Sequence, residues 1–318
     1  YIYKFVSKAM WSNSDIGGGL KAGDKYLNDG TLYVAVFNED GSGEWKALVH
    51  GQNGLDAFNS VLPFNGQDEV LVFARAAADA AGATKMDRPE WVSVSPMTGD
   101  VYVTLTNNKY RGVRDDQPVS ASNPRSYQSS GKALGNDNGH IIRWAEAGGD
   151  HAATSFEWDI YLFGAPSDLS AENLSQLNDN NDFSSPDGLY FDPRGVLWIQ
   201  TDDGAYTDTS SCMLLAALPG KVSDGSMKTT SAGQSTRVGT SASNDNIKRF
   251  FVGPEGCEVT GITMAPDFKT LFINIQHPGN TWGAVAGGSI PRSATVMITR
   301  EDGDVILAES FDTADSTT

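Results

Sequence analysis

One pattern recurs three times in this chain: a run of β-branched and aromatic residues, a turn carrying a proline, and a second such run. It reads Trp91-Val-Ser-Val-Ser-Pro-Met-Thr-Gly-Asp-Val-Tyr-Val-Thr-Leu105, then Leu189-Tyr-Phe-Asp-Pro-Arg-Gly-Val-Leu-Trp-Ile199, then Ile262-Thr-Met-Ala-Pro-Asp-Phe-Lys-Thr-Leu-Phe-Ile273. Proline fixes φ early in a turn, and the glycine or polar residue after it closes the reversal. Pro96, Pro193 and Pro266 hold that place. A strand–turn–strand unit cannot bury its apolar face alone, and its repetition is the sequence mark of a β-propeller. Hairpins with proline turns also occur in sandwiches, so the repeat alone leaves that alternative open. Because the spacing between copies is irregular, long insertions must lie between blades.

The rest of the chain fits an all-β reading. Thr31–Phe37, Val101–Leu105, Val196–Gln200 and Leu271–Ile275 are short apolar runs closed by turn residues, as strands are. Glycine is abundant, at 34 of 318 residues, which suits a turn-rich β protein. A helical turn or two is expected in Val70–Ala83, where alanines cluster. Residues 111–139, 178–186 and 223–246 are polar and turn-rich and read as long loops, the first lying over a surface. None of them reads as a linker, so residues 1–318 are expected to form one domain or part of one. The chain starts at Tyr1 within a strand-like run, which predicts that it is a piece of something longer.

Charge and cysteine usage exclude several functions. Forty acidic and 23 basic side chains give a formal charge of −17, which disfavours nucleic acid and anionic membranes as partners. No apolar run approaches the length of a membrane span. Two cysteines, Cys212 and Cys257, are too few for a disulfide framework or a cysteine-built zinc site, and Cys257 reads as a small buried residue. There is no Gly-x-Ser-x-Gly elbow, phosphate-cradling glycine loop or CxxC pair.

In a propeller the innermost strands line a central channel, so groups at their ends converge from different blades. The leading ends here carry Arg88 and Glu90, then Asp187, then Glu255 and Glu258. The trailing ends carry Asn107 and Asn108, Asp202 and Asp203, and His277. Carboxylates gathered on one channel repel one another unless protonated or neutralised by cations. Oxygen-rich sets suit Ca²⁺, and a histidine or thiolate broadens the choice toward iron. Arg88 beside such a set has the planar fork that grips a phosphate, so metals plus an arginine point to phosphoryl chemistry. Each acid taken singly also reads as an ordinary turn former, Asp187-Gly188 and His277-Pro278 included. The run Asn178-Asp-Asn-Asn-Asp182 reads as a solvated loop or a calcium loop, and Glu39–Gly43 as a hairpin turn.

The strings themselves carry a resemblance. Met86-Asp-Arg-Pro-Glu-Trp91, Gly139-His-Ile-Ile-Arg-Trp144, Gly149-Asp-His-Ala-Ala153 with Phe156-Glu-Trp158, Ser185-Pro-Asp-Gly188 and Leu197-Trp-Ile-Gln-Thr-Asp202 resemble the PhoX-type alkaline phosphatases. So do Gly253-Pro-Glu-Gly-Cys-Glu-Val-Thr-Gly-Ile262, Asn274-Ile-Gln-His-Pro-Gly279, Pro291-Arg-Ser-Ala-Thr-Val296 and the opening Tyr1-Ile-Tyr-Lys-Phe-Val-Ser7. The resemblance implies a six-bladed β-propeller that hydrolyses phosphate monoesters with calcium and iron (Ca²⁺ and Fe³⁺), exported by the twin-arginine route to the periplasm or the cell exterior. It implies that Arg88 contacts the substrate phosphate and that Glu90 ligates a metal, with Asp187 and Glu258 as further metal ligands. It also implies that this chain is a C-terminal portion, inactive without an N-terminal half that brings other blades, acidic ligands and an iron-ligating cysteine. Neither Cys212 nor Cys257 lies in the motif of that cysteine. Two other functions remain open: a calcium-dependent propeller lactonase, which would not need Arg88, and a non-catalytic binding propeller whose acidic channel holds structural calcium.

Overall fold

The computed structural model describes residues 1–128, 134–202, 211–285 and 288–307. The chain forms two compact units, Tyr1–Met86 with Glu146–Glu157, and Asp87–Ala145 with Trp158–Thr318.

The first unit has three strands, β1 (Tyr3–Ser7), β2 (Gly30–Phe37) and β3 (Ser42–Ala47), paired antiparallel in that order. The turn from β2 to β3 is held by Asp40, whose carboxylate accepts from the Ser42 amide at 2.9 Å, so Glu39–Gly43 is a hairpin turn as its sequence suggests. Three short helices lie here: α1 (Leu20–Leu27), α2 (Gln67–Val72) and α3 (Ala74–Ala80). The helix expected over 70–83 is present but broken at Phe73, whose φ of −100° and ψ of 40° leave the helical region. Beyond the break the small Ala77 and Ala78 lie buried in a core with Val34, Leu48, Leu55, Phe64 and Val70.

The second unit carries the repeated pattern as three antiparallel sheets. The first orders β4 (Pro89–Val94), β5 (Val101–Leu105), β8 (His140–Glu146) and β9 (Ser155–Phe163). The second orders β10 (Pro186–Phe191), β11 (Leu197–Thr201), β12 (Met213–Ala217) and β15 (Ile247–Val252), and the third β16 (Glu258–Met264), β17 (Thr270–Gln276) and β18 (Ala294–Thr299). Each proline turn closes in the same way: Ser95, Asp192 and Ala265 donate their amides to Asp100, Val196 and Thr270. Strand burial follows position in the sheet. The mid-sheet strands β5, β11 and β12 are buried along their whole length, whereas β17 alternates, with Leu271, Ile273 and Ile275 inward. The side chains between sheets form two cores, one around Tyr102, Leu189, Leu197 and Ile199, the other around Trp198, Val259, Ile273 and the two cysteines.

Two loop expectations are corrected. Residues 111–139 do not simply run over a surface: besides the short pair β6 (Tyr127–Gln128) and β7 (Leu134–Gly135), they bury Arg111, Asn123, Arg125, Asn136 and Asn138. The reason is that backbone and side-chain partners take up most of these polar atoms; Arg125, for one, donates through Nη1 to the Gly164 and Glu172 carbonyls. Residues 223–246 contain a hairpin, β13 (Ser226–Thr229) and β14 (Ser235–Val238).

Candidate active site

The strands β4, β10 and β16 are the first of each hairpin, and β10 packs between the other two. Ser93 and Thr104 tie the first sheet to β10: the Phe191 amide donates to Ser93 Oγ at 2.9 Å, and Thr104 Oγ1 donates to the Asp187 carbonyl at 2.6 Å. All three strands carry a register shift toward their leading ends. In β4 the extra residues are Glu90 and Trp91, facing Thr104; in β10 they are Asp187 and Gly188, facing Gln200. A bulge of this kind re-aims side chains and ends regular pairing, which suits the rim of a site. Arg88 and Ser185, just before the two bulges, both have positive φ, 53° and 48°, and their carbonyls accept from Thr106 and Asp202. Two copies of one backbone device therefore present Glu90 and Asp187 in equivalent positions.

The charges at these ends interact. Burial, followed by the neighbouring Glu90, Glu258 and Asp202, pushes the Asp187 carboxyl up to about 7, while Arg88 acts in the opposite sense. Glu258 is raised too, by burial and then by Asp202, against bonds from Thr260 and His277. All four residues proposed from sequence, Arg88, Glu90, Asp187 and Glu258, thus fall in one electrostatic neighbourhood. Arg88 is exposed, and its Nη1 donates to Asn107 Oδ1 at 2.7 Å, with Asn107 in turn bonded to Ser185 Oγ at 3.3 Å. A planar guanidinium exposed in this way offers a fork of N–H groups suited to an oxyanion.

Asp202 and His277, seen in the sequence only as polar strand ends, join Glu258: their ligand atoms lie within 4.8 Å of one another. His277 Nε2 is 3.6 Å from Glu258 Oε2, and its φ of 36° is strained for a non-glycine residue. Asp203 lies outside the described residues. The donor set of carboxylates with one imidazole fits a hard cation through oxygen and a transition metal through nitrogen. Cys257 does not contribute a thiolate there: it is buried, and burial pushes its thiol up to about 11. The 178–182 run is not built as a calcium loop either. Arg249 donates to the Asp182 carboxylate at 2.5 Å and to the Asp179 carbonyl at 3.2 Å, so a guanidinium neutralises it.

Behind Arg88 lies a residue that sequence reasoning passed over. Asp87 is fully buried and accepts from Asn108 and Arg111 at 2.8 Å each and from Asn136 at 2.9 Å, while its amide donates to Asn123. Its only sequence signal was its place inside the Met86–Trp91 string.

Comparison with known proteins bears on the same strings. The family model for alkaline phosphatase PhoX matches residues 1–279. The fold is similar to the solved structure of Pseudomonas fluorescens PhoX in complex with vanadate, a transition state analogue, at 39% identity and a TM-score of 0.78. That match covers 96% of this chain and 49% of the other, so this chain spans about half the length of its relative. No curated protein matches. The family model takes in the Met86–Trp91, Ser185–Gly188 and Gly253–Ile262 strings, and the backbone match extends through the β-propeller-like sheets that carry them: the chain belongs to the PhoX alkaline phosphatase family.

Proposed function

We propose that this chain is part of a metal-dependent alkaline phosphatase hydrolysing phosphate monoesters, and that the Arg88–Asp187 end of the three inner strands is its share of the catalytic centre. The observation that carries this reading is the convergence of one exposed arginine with Glu90, Asp187, Asp202 and Glu258, in a neighbourhood crowded enough to push Asp187 up to about 7. Such crowding costs stability in the metal-free chain and is relieved by cations, which is the expected state of a metal centre without its metals.

In this reading Glu90, Asp187, Asp202 and Glu258 hold calcium, and His277 extends the donor set toward iron. Metals held by these residues would supply positive charge against the phosphate and toward the attacking oxygen. Arg88 grips the phosphoryl oxygens and stabilises the charge that builds on them as the ester P–O bond breaks and the alcohol leaves. Asn107, fixed by Ser185, holds one edge of the guanidinium so that its other N–H groups stay presented to the phosphate. The relative's vanadate complex supports this reading, because vanadate occupies the place of a phosphoryl group in transfer.

The chain covers half of that relative, and we assign the remaining ligands, an iron-binding cysteine among them, to an N-terminal half of the same protein. The chain alone is then inactive, and the complete enzyme works in the periplasm or outside the cell after folded export. The test is hydrolysis of p-nitrophenyl phosphate by the complete protein, with and without chelator, beside the 318-residue chain. The expected result is turnover by the complete protein that chelation abolishes, none by the chain alone, and recovery of the complete protein from periplasmic or culture fractions. Chelator-resistant turnover, or full turnover by the chain alone, would overturn the reading.

A further inference from the structure

The side chain of Gln200 has no assigned task, and its surroundings give it one. Gln200 is fully buried, and neither its amide oxygen nor its amide nitrogen has a hydrogen-bond partner among the described residues. A buried amide with no partner costs free energy, so such a group calls for a partner beyond the described residues.

Three observations say where that partner sits. The first is the bulge: Gln200 faces Asp187 and Gly188, and Gly188 is bare where a Cβ would lie 2.3 Å from Gln200 Oε1. The missing side chain makes the room that the amide oxygen occupies. The second is strand alternation. Val196 and Trp198 face Cys257, Val259, Ile273 and Ile275, whereas Leu197 and Ile199 face the other core. Alternation puts Gln200 on the Trp198 face, toward β16, which β11 packs against. Asp202 follows in the same alternation just past the strand end, and it belongs to the cluster with Glu258 and His277. That face of β11 therefore runs from an indole in the apolar core, through an orphaned amide, to a carboxylate at the cluster. The third is the first hairpin, where Thr104 holds the position of Gln200. Thr104 Oγ1 accepts from the Trp91 amide at 3.0 Å and donates to the Asp187 carbonyl, so protein groups satisfy it. Gln200 stands in the same place in the next sheet with a longer reach and no such partners.

We propose that Gln200 is a ligand-holding residue of the centre, its amide oxygen forming the floor of a cation position whose rim is Asp202 and Glu258. The inference rests on the reading of the cluster as a metal site. An amide oxygen is a hard, neutral donor that suits Ca²⁺ and adds no further negative charge to a crowded set. Placed beneath the carboxylates, it raises the ligand count without raising their repulsion.

The test is calorimetric titration of Ca²⁺ into the 318-residue chain at pH 8, with thermal unfolding in chelator and in calcium, for the wild type, Gln200→Leu and Gln200→Glu. Gln200→Leu should weaken calcium binding at least tenfold while its Tm in chelator stays equal or rises, because the orphaned amide is gone. Gln200→Glu should lower Tm in chelator, by adding a carboxylate to the cluster, and show a larger calcium-induced rise than the wild type. Calcium binding by Gln200→Leu as tight as that of the wild type would overturn the proposal. If Gln200→Leu does not fold, Gln200→Glu decides: a calcium-induced rise no larger than the wild type's overturns it. A wild-type chain that binds no calcium at millimolar concentration also overturns it, and the phosphatase reading then stands or falls separately on hydrolysis by the complete protein.

Discussion

Asp87 and Asp187 head adjacent inner strands of the second unit and live by opposite rules. Asp87 is fully buried, yet Asn108, Arg111 and Asn136 supply its carboxylate with three donors. Asp187 is only partly buried, and its charged neighbours are mostly further carboxylates, Glu90, Glu258 and Asp202, with Arg88 acting in the opposite sense. A buried carboxylate with a full set of donors is inert and serves the architecture. One crowded by like charges stores unfavourable energy that a cation releases. Depth alone does not mark the functional acid here; the absence of donors among the described residues does. The residue beside each extends the contrast, since Asp87 anchors the backbone at Arg88, whereas Asp187 opens a bulge against an amide left without a partner.

This contrast can be broken by substitution, and the largest effect belongs to the satisfied site. Asp87→Ala removes the carboxylate from a buried guanidinium and should cost about 3–5 kcal/mol, read as a fall in the denaturant midpoint of the 318-residue chain. A loss under about 1 kcal/mol would show that the hub is not structural. Thr104→Val comes next. It strips the Trp91 amide and the Asp187 carbonyl of their shared hydroxyl and should cost about 1–2 kcal/mol, measured by the same unfolding. Asp187→Asn should move the other way. In chelator at pH 8 it should raise stability by up to about 1 kcal/mol, the scale of partly exposed charge pairs, because one member of a repelling group is gone. Destabilisation by that variant would mean that Asp187 is held by attraction.

The smallest effect is a slope with pH. The Asp187 carboxyl, about 3.8 in its ordinary state, is pushed up to about 7 in the fold, so between those values the unfolded chain binds fewer protons than the native one. The contribution of this group to metal-free stability is therefore complete at low pH and is lost as pH rises from about 4 toward 7. Unfolding curves across that window should fall more steeply for the wild type than for Asp187→Asn. Equal slopes would remove Asp187 from the crowded set.

Much of this layout is legible in the sequence because turn chemistry is local. The three proline-marked units are the hairpins β4–β5, β10–β11 and β16–β17, and the turn prolines fix where each pair reverses. Glu90 and Asp187 stand at the same distance before Pro96 and Pro193, so their equivalence was also within reach of counting. What stayed hidden depends on long-range pairing. Asp87 looks like a surface acid until Asn108, Arg111, Asn123 and Asn136 fold over it, and their polarity made residues 111–139 read as surface loop. His277 meets Glu258 only because β16 and β17 pair, with Glu258 opposite Gln276. The orphaned state of Gln200 has no sequence signal at all, since glutamine in a strand reads as an exposed position. The break at Phe73 is likewise a tertiary outcome, as the alanines beyond it pack into the core of the first unit.

The central claim is that Arg88, with the carboxylates around Asp187, serves phosphoryl transfer. The most direct measurement is kcat/KM for p-nitrophenyl phosphate in the complete protein, wild type against Arg88→Ala, with Tm recorded for both. Arg88 is exposed and, among the described residues, its side chain is bonded to Asn107, so its removal should leave Tm unchanged. The account predicts a loss of about 10²–10³-fold in kcat/KM, the scale of removing one donor that stabilises transition-state charge. A variant whose kcat/KM stays within about threefold of the wild type, at equal Tm, would contradict the account, because a difference that small is under about 1 kcal/mol of transition-state stabilisation.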